Sequence, residues 1–84
     1  MKGVKIMKVT YLERGNEFDF KRIGDKYRTF YALSVFQPKG TSLHYFQVDS
    51  FNYKVIGNDD LISIDGEYKN TYAATCYLRN MQRG

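Results

Sequence analysis

A chain of 84 residues that is 43% hydrophobic and 17% aromatic has apolar material for one small core, which excludes intrinsic disorder and a multidomain machine. The formal charge of +4 permits contact with nucleic acid or with an acidic protein surface and demands neither. No apolar run approaches the roughly 18 residues of a membrane-spanning helix. Lys5 and Lys8 also interrupt the N-terminal stretch that a secretory signal would use, so no membrane association is expected.

Residues 3–12 are rich in β-formers and apolar on both faces. Val4, Ile6 and Leu12 alternate with Met7, Val9 and Tyr11, the pattern of a central or barrel strand rather than an edge. Gly15-Asn16 signals a turn. In residues 17–23, Phe18 and Phe20 alternate with Glu17, Asp19 and Lys21 as in one further strand, and Gly24-Asp25 breaks the chain again. Residues 26–51 hold two runs of β-branched and aromatic residues around Pro38–Ser42, which predicts a hairpin. Period two sorts Phe30, Ala32 and Phe36 onto one face of the first run and Tyr27, Thr29, Tyr31, Leu33 and Val35 onto the other. In the second run Phe46 and Val48 oppose Tyr45, Gln47 and Asp49.

Tyr53–Ile56 and Leu61–Ile64 read as short strands joined by a turn at 57–60, and Asp65-Gly66 is a two-residue hairpin signal. Residues 70–82 fit two descriptions. As a strand, Ala74, Cys76 and Leu78 alternate with Thr75, Tyr77 and Arg79. As a helix, the reading adopted, Ala74, Tyr77, Leu78 and Met81 share a face and Asn70 caps the start. The fold class that follows is mainly β, an antiparallel meander or small barrel of five to seven short strands. With the terminal helix it becomes α+β, and residues 1–84 form a single binding domain.

Catalytic chemistry finds little to work with. One histidine, His44, and one cysteine, Cys76, fall short of the three or four ligands a zinc site wants. The unpaired thiol fits a reducing, cytoplasmic location. Asn58-Asp59-Asp60 and Asp65-Gly66-Glu67 lack the spacing of a calcium loop, and two turns explain them. The seven glycines are dispersed and cradle no phosphate. No enzyme activity, metal or cofactor is expected.

The remaining signal is eight tyrosines interleaved with cations. Lys26, Tyr27, Arg28, Tyr31 and Tyr45 would form a binding surface on the predicted hairpin. Rings with a few cations suit a protein interface. The function expected is a small non-catalytic protein-binding modulator or inhibitor. Its size and character resemble the proteins that phages and mobile elements direct at host enzymes or defence complexes. A nucleic-acid-binding module is the alternative, since bases stack on rings and phosphates follow cations. A structural or assembly subunit is a third reading, and an exposed edge strand offers a route to a homodimer.

Overall fold

The strand with two apolar faces becomes the one that the other elements flank. The computed structural model describes residues 6–18 and 21–82, with the backbone alone described at 16–18 and 21–23. The strands are β1 (Met7–Glu13), β2 (Asn16–Phe18), β3 (Lys21–Ile23), β4 (Lys26–Ala32), β5 (Ser34–Phe36), β6 (Leu43–Gln47), β7 (Tyr53–Gly57), β8 (Leu61–Ile64) and β9 (Glu67–Tyr68), followed by helix α1 (Tyr72–Gln82). A four-stranded sheet runs β4-β1-β8-β9 and a three-stranded sheet runs β5-β6-β7. These seven strands, all antiparallel, and the single C-terminal helix give the expected fold class. β2 and β3 pair only with each other among the described residues.

β1 is bonded on both edges, with Val9 opposite Phe30 of β4 and Ile64 of β8. Its two faces meet different layers. Val9 and Tyr11 join Ala32, Phe46, Ile56 and Leu61 in a core between the two sheets. On the opposite face Leu12 packs against Ile62, Ala73 and Ala74 beneath α1. The register of β8 shifts between Thr10 and Tyr11, so Ser63 faces Thr10 while Leu61 faces Tyr11. This bulge lets one four-residue strand supply Leu61 and Ile64 to the first core and Ile62 to the second.

The β8–β9 hairpin turns at Asp65 and Gly66, both at positive φ (53° and 81°), as the Asp-Gly pair predicts. The turn is tied to β1 at both ends of one peptide pair. The Lys8 N–H donates to Asp65 Oδ1 at 2.8 Å, and the Asp65 N–H donates to the Lys8 carbonyl at 2.7 Å.

Three expectations change. The run at 17–23 is two short strands, with Phe18 opposite Lys21, rather than one. Its alternation of phenylalanine with charge fits either arrangement, and the expected facing of Phe18 and Phe20 lies outside the described residues. The first arm of the predicted hairpin is also divided. β4 pairs with β1, and only β5 pairs with β6. Leu33 leaves the ladder between them, its N–H donating to the Gln47 carbonyl at 2.7 Å. Even-numbered residues point into the core before Leu33 and odd-numbered ones after it. Phe36 therefore faces outward at 62% exposure, rather than sharing a core face with Phe30 and Ala32.

The third change concerns the helix start. Thr71 caps α1 in place of Asn70. Its Oγ1 accepts from the Ala74 N–H at 3.0 Å and donates to the Leu61 carbonyl at 2.6 Å, so one hydroxyl both starts the helix and fixes it to β8. Thr71→Ala should lower stability by about 1–3 kcal/mol, because it removes the cap and leaves a carbonyl without its donor. Asn70→Ala should stay within about 0.5 kcal/mol. Urea denaturation of the two variants checks this, and equal losses would return the cap to Asn70.

Candidate functional site

The five residues expected to share one binding surface are placed on three. Lys26 and Arg28 lie on the face of β4 that carries Phe30, toward the three-stranded sheet. Tyr27 and Tyr31 lie on the opposite face, Tyr27 beside α1 and Tyr31 exposed. There Tyr27 meets the Tyr77 ring edge-on at 4.9 Å, and its hydroxyl accepts from Asn80 Nδ2 at 3.1 Å. Tyr45 belongs to neither face. It sits on the outer side of the three-stranded sheet, tilted against Phe36 at 6.4 Å. Strand alternation separates Tyr27 from Arg28, and the corner at Leu33 separates Tyr31 from Tyr45.

That outer side carries an apolar surface left uncovered. Register aligns Phe36, Tyr45 and Val55 in a row across β5, β6 and β7. Leu43 and Tyr53 stand on the same face, and none of its strand positions is Asp, Glu, Lys or Arg. Phe36, Tyr45, Tyr53 and Val55, closed at one end by Pro38, line a shallow depression of about 410 Å³. A sheet face this apolar is normally covered by another layer.

The loop between β6 and β7 lies at the end of this sheet away from Pro38, next to Tyr53. The Asp49 carboxylate accepts from the backbone N–H groups of Phe51 and Asn52 at 2.8 and 2.9 Å and from the Asn52 side-chain amide. This closed turn presents Phe51 at 92% exposure. Phe36, Leu43, Phe51, Tyr53 and Val55 were missed in the sequence because hydrophobic residues in strands and loops read as core. The signal that would have found them is the pairing of Tyr45 with Val55, opposite the buried Phe46.

A second opening lies between the two sheets. Tyr11, Glu13, Arg28, Phe30, Tyr53 and Lys54 line a cavity of about 520 Å³. Arg28 Nε donates to Glu13 Oε2 at 2.7 Å. The Lys54 ammonium stands over the rings of Tyr11 and Phe30, 5.1 and 5.7 Å from their centroids.

The remaining chemistry-bearing residues stay apart. His44 projects from β6 and stacks on Phe46, while Cys76 is on α1, so the four-stranded sheet lies between them. Asp60 pairs with Arg14 at 2.7 Å, and Asp65 serves its turn. Among the described residues no three His, Cys, Asp or Glu side chains gather as a metal site, and no helix is long and apolar enough to cross a membrane. Comparison with protein-family models, with curated proteins and with solved structures finds no match.

Two carboxylates are held below their ordinary range. For Glu13 the cause is first the hydrogen bond from Arg28 and then its charge, with smaller pulls from Lys26 and Lys54. For Asp49 it is first the Asn52 side chain and then the Phe51 N–H. Because the folded state lowers both values, each contributes stability above the ordinary carboxylate pKa and loses it as pH falls through the folded value. NMR titration should show both midpoints below those of exposed carboxylates. Arg28→Gln should raise the Glu13 midpoint to the ordinary range and leave Asp49 unmoved.

Proposed function

We propose that the protein is a non-catalytic binding module that docks another protein on the outer face of its three-stranded sheet. The observation that carries this reading is the uncharged row Phe36–Tyr45–Val55, flanked by Leu43 and Tyr53 and left without a covering layer. Interface centres are depleted in charge and enriched in aromatic residues, and a few such anchors supply most of the binding energy. Phe51 adds an anchor that the Asp49 turn holds out before any partner arrives, which lowers the ordering cost of association.

The same geometry counts against nucleic acid on this face. Single-strand binding needs cations tracking phosphates beside the stacking rings. Here Lys26 and Arg28 lie on the other sheet, away from the rings of this face. Occupying a partner's surface is sufficient for a modulator or inhibitor, and a host enzyme or defence complex is the class of target this reading names. The single thiol, Cys76, supports a cytoplasmic setting.

The test compares the wild-type chain with Phe51→Ser and Val55→Glu in pull-downs from nuclease-treated lysate. Both substitutions are at exposed positions and should change stability by less than about 1 kcal/mol. One defined protein should be retained by the wild type and lost by both variants. A partner held equally by all three chains, or none at all, contradicts the docking face. A partner that disappears on nuclease treatment returns the nucleic-acid reading.

A further inference from the structure

We propose that the cavity between the two sheets is an oxyanion site, in which Lys54 and Arg28 hold a phosphate or carboxylate group. Lys54 lies opposite Phe46, so it occupies an inward position beside a fully buried ring, where an apolar side chain would be expected. Bringing a charge between two sheets is costly unless an opposite charge meets it. Among the described residues the Lys54 ammonium has the faces of Tyr11 and Phe30 and no carboxylate within ion-pair distance.

The cavity that Lys54 lines is about 520 Å³, within the range of roughly 300–1,000 Å³ typical of small-ligand pockets. Its cations outnumber its carboxylates. Arg28 and Lys54 line it, Lys26 acts on Glu13 from the same end, and Glu13 is the one acid in the wall. Arg28 engages Glu13 through Nε, which leaves both terminal amino groups of its guanidinium available as donors. A cleft whose walls carry a net positive charge draws the opposite ion. An oxyanion accepting from Lys54 Nζ and from an Arg28 amino group would give the inward lysine the direct ionic partner that Glu13, acting only at a distance, does not, by charge-assisted hydrogen bonds.

A purely structural role exists for an inward charge on an edge strand, which is to deter pairing with another chain. β7 is such an edge, and the two roles separate experimentally. Inorganic pyrophosphate and citrate are titrated into the labelled protein at low and at raised salt, with amide shifts as the readout. Saturable shifts should centre on Thr29, Tyr53 and Lys54, and raised salt should weaken them. Lys54→Met, which keeps the side-chain length without the charge, should weaken binding about tenfold or more, the loss of one charge-assisted hydrogen bond.

Arg28→Gln, at an exposed position, gives the same expected loss if the Lys54 variant does not fold. Saturation by pyrophosphate alone assigns a phosphate ligand, and saturation by citrate alone a carboxylate. Saturation by both assigns the shared oxyanion. The site is overturned if shifts scatter over surface lysines such as Lys8, Lys39 and Lys69, if no saturation occurs, or if Lys54→Met aggregates yet binds as the wild type does.

Discussion

Strand β1 is bonded along both edges and covered on both faces, and the other layers take their positions from it. Val9 and Tyr11 require one apolar layer and Leu12 requires another. The chain meets these demands with the three-stranded sheet on one side and α1 on the other. An arrangement of helix, sheet and second sheet has two outer boundaries. Polar and charged helix residues such as Thr75, Arg79 and Asn80 form part of the first. The second is the outer side of β5-β6-β7, where Phe36, Tyr45 and Val55 are left uncovered.

Charge is organised to leave that face neutral. Arg14 pairs with Asp60, Arg28 with Glu13, and the Lys54 ammonium points between the sheets over Tyr11 and Phe30. Exposed ion pairs of this kind add little to stability. Their effect is spatial. Cations and carboxylates gather at the open end of the sheet pair, while the apolar face stays free of both. Tyr53 lines both the depression on the outer face and the cavity between the sheets, so the proposed docking surface and the proposed oxyanion site adjoin.

Much of the fold was legible because its signals are local. Two apolar faces at 3–12, of which residues 3–5 lie outside the described residues, marked a central strand, Asp65-Gly66 marked a tight hairpin, and the spacing of Ala74, Tyr77, Leu78 and Met81 favoured a helix over the strand that the same residues also fit. The corner at Leu33 was not legible. No glycine or proline stands there, and an apolar residue at that position continues the period-two pattern without a visible break. One irregular residue turned Phe36 from the core to the surface and separated Tyr31 from Tyr45. The cap moved by one position because Asn70 and Thr71 are both competent, and the nearby Leu61 carbonyl selects the threonine. Within the candidate site, Tyr45 was visible as an aromatic strand residue, but Phe51, Tyr53 and Val55 required the layer order to be known. The inward placement of Lys54 required the β6–β7 register, since Tyr53–Ile56 alternates equally well with either face inside.

Two phenylalanines on opposite sides of the three-stranded sheet give the most direct test of this layer order. Phe46 is fully buried and Phe36 is 62% exposed. Urea unfolding of Phe46→Ser and Phe36→Ser compares them in one host. With one covered and one open face, Phe46→Ser should cost at least about 3 kcal/mol, and Phe36→Ser less than about 1 kcal/mol. Comparable losses at the two positions would mean that the outer face is core, and the docking surface would have no place on this fold.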